Sequence, residues 1–272
     1  MKILMAIGGS SQSEKALKLG AELIRCADET PAVLTVARRK QDRPRAEALL
    51  QHAQALLADV PCTVETRLRY GQPAEQIVAE AREGGFGLII LGEPQSRTLK
   101  ALLLGSTVLH VVEHTACPVI IAKGEIKSIR RILLCDSGVT PSLLGRFTAQ
   151  LADTLLGEEE ITVLHVMSQI TAWPGVSDED LQASAEELIE ERAPEGEWLA
   201  RNLEVLSLPD IHATPKVRRG GVLDEILAES QENDYDLVVI GAHRDAGWQR
   251  VLLADIAREL IKRLDRPVLV VR

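Results

Sequence analysis

The stretch "AEQIVAEAREGGFGLIILG", Ala74 to Gly92, returns 149 residues later as "LDEILAESQENDYDLVVIG", Leu223 to Gly241. The match runs without a gap from Gly71–Lys123 to Gly220–Arg272. In each copy, apolar residues three and four apart give way to a short aliphatic run that ends on glycine. The first pattern is a helix with one buried face; the second is a strand covered on both faces. The match extends outward. "CPVIIAK" (117–123) pairs with "RPVLVVR" (266–272), "KILMAIGGS" (2–10) with "RILLCDSG" (131–138), and "AVLTVA" (32–37) with "TVLHVM" (162–167). The chain is therefore a tandem repeat of one unit.

The repeat predicts two domains, 1–125 and 126–272, with the boundary near Gly124 to Ser128. Strands are expected at 3–7, 32–37, 63–69, 88–91 and 119–122, with helices at 13–26, 44–58, 74–83 and 107–114. Copy two repeats the strands at 132–135, 161–166, 211–217, 237–240 and 268–271. Short apolar strands alternating with helices imply a parallel sheet with right-handed crossovers, a doubly wound, Rossmann-like open α/β fold in each domain. Copy two carries an insertion that includes "SDEDLQASAEELIEER" (177–192), read as an acidic helix with a solvated face. Pro118 and Pro267 precede the last apolar strand of each copy, where a missing N–H is tolerated. Those edges need covering, by each other or by a second chain in a homodimer.

Hydrophobic residues are 46% of the 272 and aromatics only 3%, so the cores are aliphatic. Four scattered cysteines (Cys26, Cys62, Cys117, Cys135) suggest neither a disulfide framework nor a zinc site. No apolar run is long enough for a signal core or a membrane span, and the expected setting is cytoplasmic, with no membrane partner. Residues 1–125 carry 15 Lys+Arg against 14 Asp+Glu, and residues 126–272 carry 16 against 26. The acidic second half argues against nucleic acid as a partner.

In copy one, glycines gather at expected strand ends: Gly8-Gly9-Ser10 after the first strand, Gly92 after the fourth, and Gly105-Ser106-Thr107 at the start of the last helix. In an open α/β sheet, ligands bind beyond the carboxyl ends of the strands. Free amides and the helix dipole make such a helix start an anion site, and glycine admits a phosphate closely. Plain capping by Ser106 explains the same residues.

The spacing of Gly92 and Gly105-Ser106, the repeat, and the closing "HTACPVII" (114–121) resemble the universal stress protein family in its tandem form, over nearly the whole chain. In nucleotide-binding members the pattern is Gly-x2-Gly-x9-Gly-Ser/Thr, with an Asp after the first strand that contacts adenine. The resemblance implies a stress-response regulator with an ATP-binding fold, Mg accompanying the nucleotide, and no dedicated catalytic apparatus. It places phosphates at Gly92, Gly105, Ser106 and Thr107, and base or ribose over Gly8, Gly9 and Ser10, with Val36 lining the adenine pocket. Copy one departs from the pattern at Gln95 and at Gly8, which stands for the Asp. Copy two keeps Asp136 but has Arg244 for the second glycine and Ala254-Asp255 for Gly-Ser. Asp255 there reads as a helix cap that repels phosphate. The expectation is one small-molecule nucleotide site, in copy one.

Other constellations carry less. "HVVEH" (His110 to His114) matches a zinc-peptidase pattern but lacks a third ligand. His165 reads as a packed strand residue. Trp173 and Trp198 read as pinning the inserted helix to the sheet. Cys117 has no nearby base and reads as inert. The rival to a nucleotide-responsive regulator is an interaction module with both sites vestigial.

Overall fold

The computed structural model describes residues 1–24, 29–93, 106–135, 145, 147–148, 151, 159–167, 183–207, 211–241 and 248–271, without the side chains of 106 and 248–254. The chain divides into two compact units. The first is built on Met1–Ser128 and also takes in Asp265–Val270.

Unit 1 contains β1 (Ile3–Ile7), β2 (Ala32–Ala37), β3 (Glu65–Tyr70), β4 (Leu88–Gly92) and β5 (Val119–Ala122). Its helices are α1 (Ser11–Ile24), α2 (Arg43–Leu56), α3 (Pro73–Glu83) and α4 (Ser106–His114), with a 3₁₀ turn at Lys40–Asp42. The strand order is β3-β2-β1-β4-β5, and these strands are parallel. Every residue of β1 and β5 is buried, as a sheet covered on both faces requires. α1 buries Ala16, Leu17, Leu19, Leu23 and Ile24, one stripe of its surface, toward that sheet.

The edge beyond β5 is taken by β10 (Val268–Val271), which pairs antiparallel with it: Val119 against Val270, Ile120 against Leu269, Ile121 against Val268. Here Gly124 is indispensable. Its φ is +59°, and a Cβ would lie 1.8 Å from the Asp265 carbonyl oxygen. Only glycine permits both.

Unit 2 holds β6 (Arg131–Cys135), β7 (Glu160–Met167), β8 (His212–Arg219) and β9 (Leu237–Gly241), parallel in the order β9-β6-β7-β8. Its helices are α5 (Ala185–Glu190), α6 (Pro194–Val205), α7 (Val222–Glu232) and α8 (Trp248–Arg263).

Two expectations change here. The acidic helix expected over 177–192 is described only from Ala185 to Glu190; Ser184 and Glu187 form its capping box. Arg192, at φ 56°, then breaks the chain before Pro194 opens α6. Residues 177–182 and Trp173 lie outside the described residues. The second correction concerns Asp255. It does not cap a helix, because α8 starts at Trp248 and Asp255 sits well inside it, exposed. Where copy one has Gly105, copy two has Ala254, about 1 kcal/mol better in a helix interior. Nothing in "WQRVLLA" stops the helix from beginning earlier.

Candidate functional site

In unit 1 the strand order reverses at β1, with β2 on one side and β4 on the other. Crossovers leave the sheet in opposite directions there and open a crevice at the strands' carboxyl ends. A cleft of about 490 Å³ occupies that place. Gly8, Ser10, Val36, Gly92 and Thr107 all line it. Five of the eight residues singled out from sequence thus meet on one cavity. Gly9 does not line it. Its φ of +76° turns the chain after β1, and a Cβ there would meet Leu49 at 2.9 Å. Ser106 is the first described residue of α4, with its side chain outside the description. Gly105, Gln95, Arg97 and Lys100 lie outside the described residues.

The glycines have separate physical reasons. A Cβ on Gly92 would sit 2.2 Å from the carbonyl oxygen of Gln12, in the first turn of α1. Gly92 therefore answers to helix–strand packing. A Cβ on Gly8 would meet nothing within 4 Å, so a side chain could grow there into open space. The amide of Gly8 is already used: it donates to Ser13 Oγ at 3.0 Å. Ser13 is buried, its own amide donates to the Ser10 carbonyl at 2.9 Å, and its hydroxyl lies 3.4 Å from Ser10 Oγ. Ser13 thus fixes the β1–α1 turn. On the neighbouring strand, Thr35 Oγ1 donates to the Ile7 carbonyl at 3.2 Å and ties the ends of β1 and β2 together.

Sequence reasoning overlooked the far wall. Arg38, Asp42, Arg45 and Leu49 line the cleft from the end of β2 and the start of α2. The signal was present: "RRKQDRPR", Arg38 to Arg45, holds five basic residues against one acid. Asp42 Oδ2 accepts from the Arg39 amide at 3.1 Å. At the opposite wall Glu93 pairs with the buried Lys123 at 3.1 Å.

In unit 2, Gly241 ends β9, while Asp136, Ser137, Gly138 and Arg244 fall outside the described residues. His165 occupies in β7 the place that Thr35 holds in β2, and its ring lies 5.0 Å from that of Trp198 on α6. Trp198 therefore packs α6 on the sheet. On α4, the rings of His110 and His114 stack 4.0 Å apart, and His114 Nδ1 donates to the His110 carbonyl at 2.9 Å. No group of three metal-ligating side chains exists among the described residues. Burial pushes the Cys117 thiol above its ordinary pKa, which keeps it protonated and weakly nucleophilic. No helix among the described residues is long and apolar enough to cross a membrane.

Known proteins share this architecture. A universal stress protein from Archaeoglobus fulgidus superposes with a TM-score of 0.72, covering 100% of this chain and 96% of that one, at 20% identity. That likeness is one of fold. Among curated sequences, universal stress protein Rv2623 of Mycobacterium tuberculosis is 25% identical over 255 residues, 90% of this chain and 81% of that protein. Universal stress protein YxiE of Bacillus subtilis is 28% identical over 145 residues, 45% of this chain and 98% of that protein. The model of the universal stress protein family matches residues 1–123 and again 129–272. With the doubly wound sheet and its repeat, this settles the assignment: the chain belongs to the universal stress protein family, as a tandem of two of its domains.

Proposed function

We propose that the protein is a cytoplasmic, nucleotide-responsive regulator of stress physiology that takes ATP or a related adenine nucleotide in the unit 1 cleft, without dedicated turnover. One observation carries this reading: five of the eight residues that the family resemblance assigns to base and phosphate line one cavity at the reversal of strand order. Its volume, about 490 Å³, falls in the range of small-ligand sites. Gly92 and Thr107 would supply the phosphate end, the first turn of a helix being suited to an anion. Gly8 and Val36 supply the base end. Mg would enter with the triphosphate as its counter-ion. Unit 2 offers no helix start at the counterpart of Ser106, because α8 runs through Asp255; the reading therefore assigns the nucleotide to unit 1 alone.

A ligand that binds only the folded state stabilises it by about 2.7 kcal/mol at a hundredfold excess over Kd. Millimolar Mg-ATP should raise the melting temperature of the wild-type protein, and Ser106→Asp, which sets an acid at the mouth of α4, should remove the shift. Nucleotide binding that survives Ser106→Asp unaltered would refute the assignment. A second reading, a nucleotide-free interaction module, is favoured by one fact: Gly92 is required by the approach of Gln12 even with no ligand. A melting temperature unmoved by nucleotide would select it.

A further inference from the structure

Resting on the nucleotide reading of the same cleft, we infer that unit 1 carries a second anion subsite, formed by Arg38 and Arg45, and that the cleft selects adenine nucleotides bearing a phosphate on the ribose as well as at the 5′ position. The first ground is an excess of positive charge along one wall of the cleft. Two acids line the cleft: Glu93 is paired with Lys123, and Asp42, which accepts from the Arg39 amide, sets one negative charge against the two of Arg38 and Arg45. Three other arginines of unit 1 have acidic partners: Arg43 pairs with Glu47 at 2.7 Å, Arg67 with Glu65 and Glu80, and Arg69 with Glu80 and Glu83. Arg38 and Arg45 have no ion pair or hydrogen-bonding acid among the described residues, yet they face a cavity. A guanidinium keeps its charge at any relevant pH and presents a planar fork suited to phosphate.

The second ground is position. β2 and β4 flank β1, so their ends stand two strand spacings apart, about 10 Å. The phosphate end proposed above belongs to β4 and α4; the arginines follow β2. They lie beside Val36, on the side assigned to base and ribose rather than at the phosphate end. The third ground is that Gly8 forgoes a carboxylate at this end. An acid there would oppose a second phosphate and weaken the pull of the two arginines. Copy two lacks the basic run altogether: "SQITAWPG" (168–175) follows its second strand.

Two isomers of identical composition test this, the bisphosphate carrying about one negative charge more near neutral pH because each of its monoesters ionises twice, so the arginine substitutions carry the discrimination. Adenosine 5′-diphosphate and adenosine 3′,5′-bisphosphate are titrated calorimetrically into the full-length protein and into the Arg38→Ala/Arg45→Ala variant, both side chains being exposed. The bisphosphate should bind wild type about tenfold more tightly, the preference should shrink as salt is raised, and the double substitution should weaken the bisphosphate about tenfold more than the diphosphate. If the diphosphate binds wild type and the bisphosphate binds no better, the second subsite is wrong while the nucleotide reading stands. If the preference outlasts the double substitution, the arginines are not its source and the inference falls. If neither isomer binds, the nucleotide reading itself fails and takes the subsite with it.

Discussion

Arg218 on β8 and Glu229 on α7 meet at 2.9 Å, and the Glu229 side chain is wholly buried. The same carboxylate takes Lys216 Nζ at 2.8 Å, Asn233 Nδ2 at 2.9 Å and the Tyr235 hydroxyl at 2.8 Å. One repeat earlier, Glu80 of α3 stands in the same place, held by Arg67 and Arg69 of β3. In both units, then, a buried acid clasps the crossover helix to the outermost parallel strand through two basic residues spaced two apart. That spacing puts both on one face of the strand. Removing one partner of a buried pair strands the other's charge. Glu229→Ala should therefore cost about 3 kcal/mol, read by urea denaturation followed in unit 2 through Trp198 fluorescence. A loss below about 1 kcal/mol, the size of an exposed pair, would show that the clasp is ornamental.

Acid should dissolve these clasps. Burial works against ionisation of Glu229, but the hydrogen bonds from Lys216, Arg218 and Tyr235 outweigh it and hold its pKa below the ordinary carboxylate value. Glu80 is lowered in the same way by Arg67 and Arg69 against its own burial. A depressed folded pKa means stability that is whole above the unfolded value, near 4.3, and is lost as pH falls through the folded value. Thermal stability should drop below about pH 4 in wild type and drop less steeply in Glu229→Gln/Glu80→Gln, which starts lower.

Alkali should act through Tyr235. Burial, with the neighbouring Glu229 carboxylate, pushes its pKa up to about 12. A raised folded pKa gives stability that is whole below the unfolded value, about 10, and is lost as pH climbs through the folded one. A melting curve series from pH 9 to 12 should show that decline in wild type and a flatter one in Tyr235→Phe.

Gly92 and Gly8 should respond oppositely to substitution. Gly92→Ala drives a methyl into the Gln12 carbonyl and should destabilise unit 1 by about 1–3 kcal/mol with no ligand present. Gly8→Asp meets open space and should leave the apo melting temperature within about 2 °C of wild type. The new carboxylate can accept from an adenine amine, so Gly8→Asp should tighten 5′-ATP several-fold by calorimetry. Equal destabilisation by both changes would contradict the packing described.

The sequence was most informative where one physical cause acted alone. Strands such as Ile3–Ile7 and Val119–Ala122 declared themselves because burial on both faces permits only apolar side chains. The cleft was half legible. Gly8, Ser10 and Gly92 follow from strand ends, which periodicity locates, Thr107 from an expected helix start, and Val36 from the family resemblance. Arg38 and Arg45 were passed over because a basic run on a loop ordinarily faces water, and only the fold shows these two turned along a cavity wall. Asp255 was misjudged for a different reason. The start of α8 depends on the absence of a breaker over Trp248–Ala254, and an alignment to Gly105 imports a boundary that Ala254 does not enforce.

The antiparallel pairing of β5 with β10 has a consequence for synthesis. Val119 leaves the ribosome long before Val270, its partner, exists. At 5–20 residues per second, the roughly 150 intervening residues take on the order of ten seconds. Throughout that interval the nascent N-terminal half presents an apolar, hydrogen-bond-hungry border, vulnerable to pairing with neighbouring nascent chains on the same messenger. A premature stop between the two strands would leave that border permanently bare, so such fragments should be targets for chaperone capture and clearance.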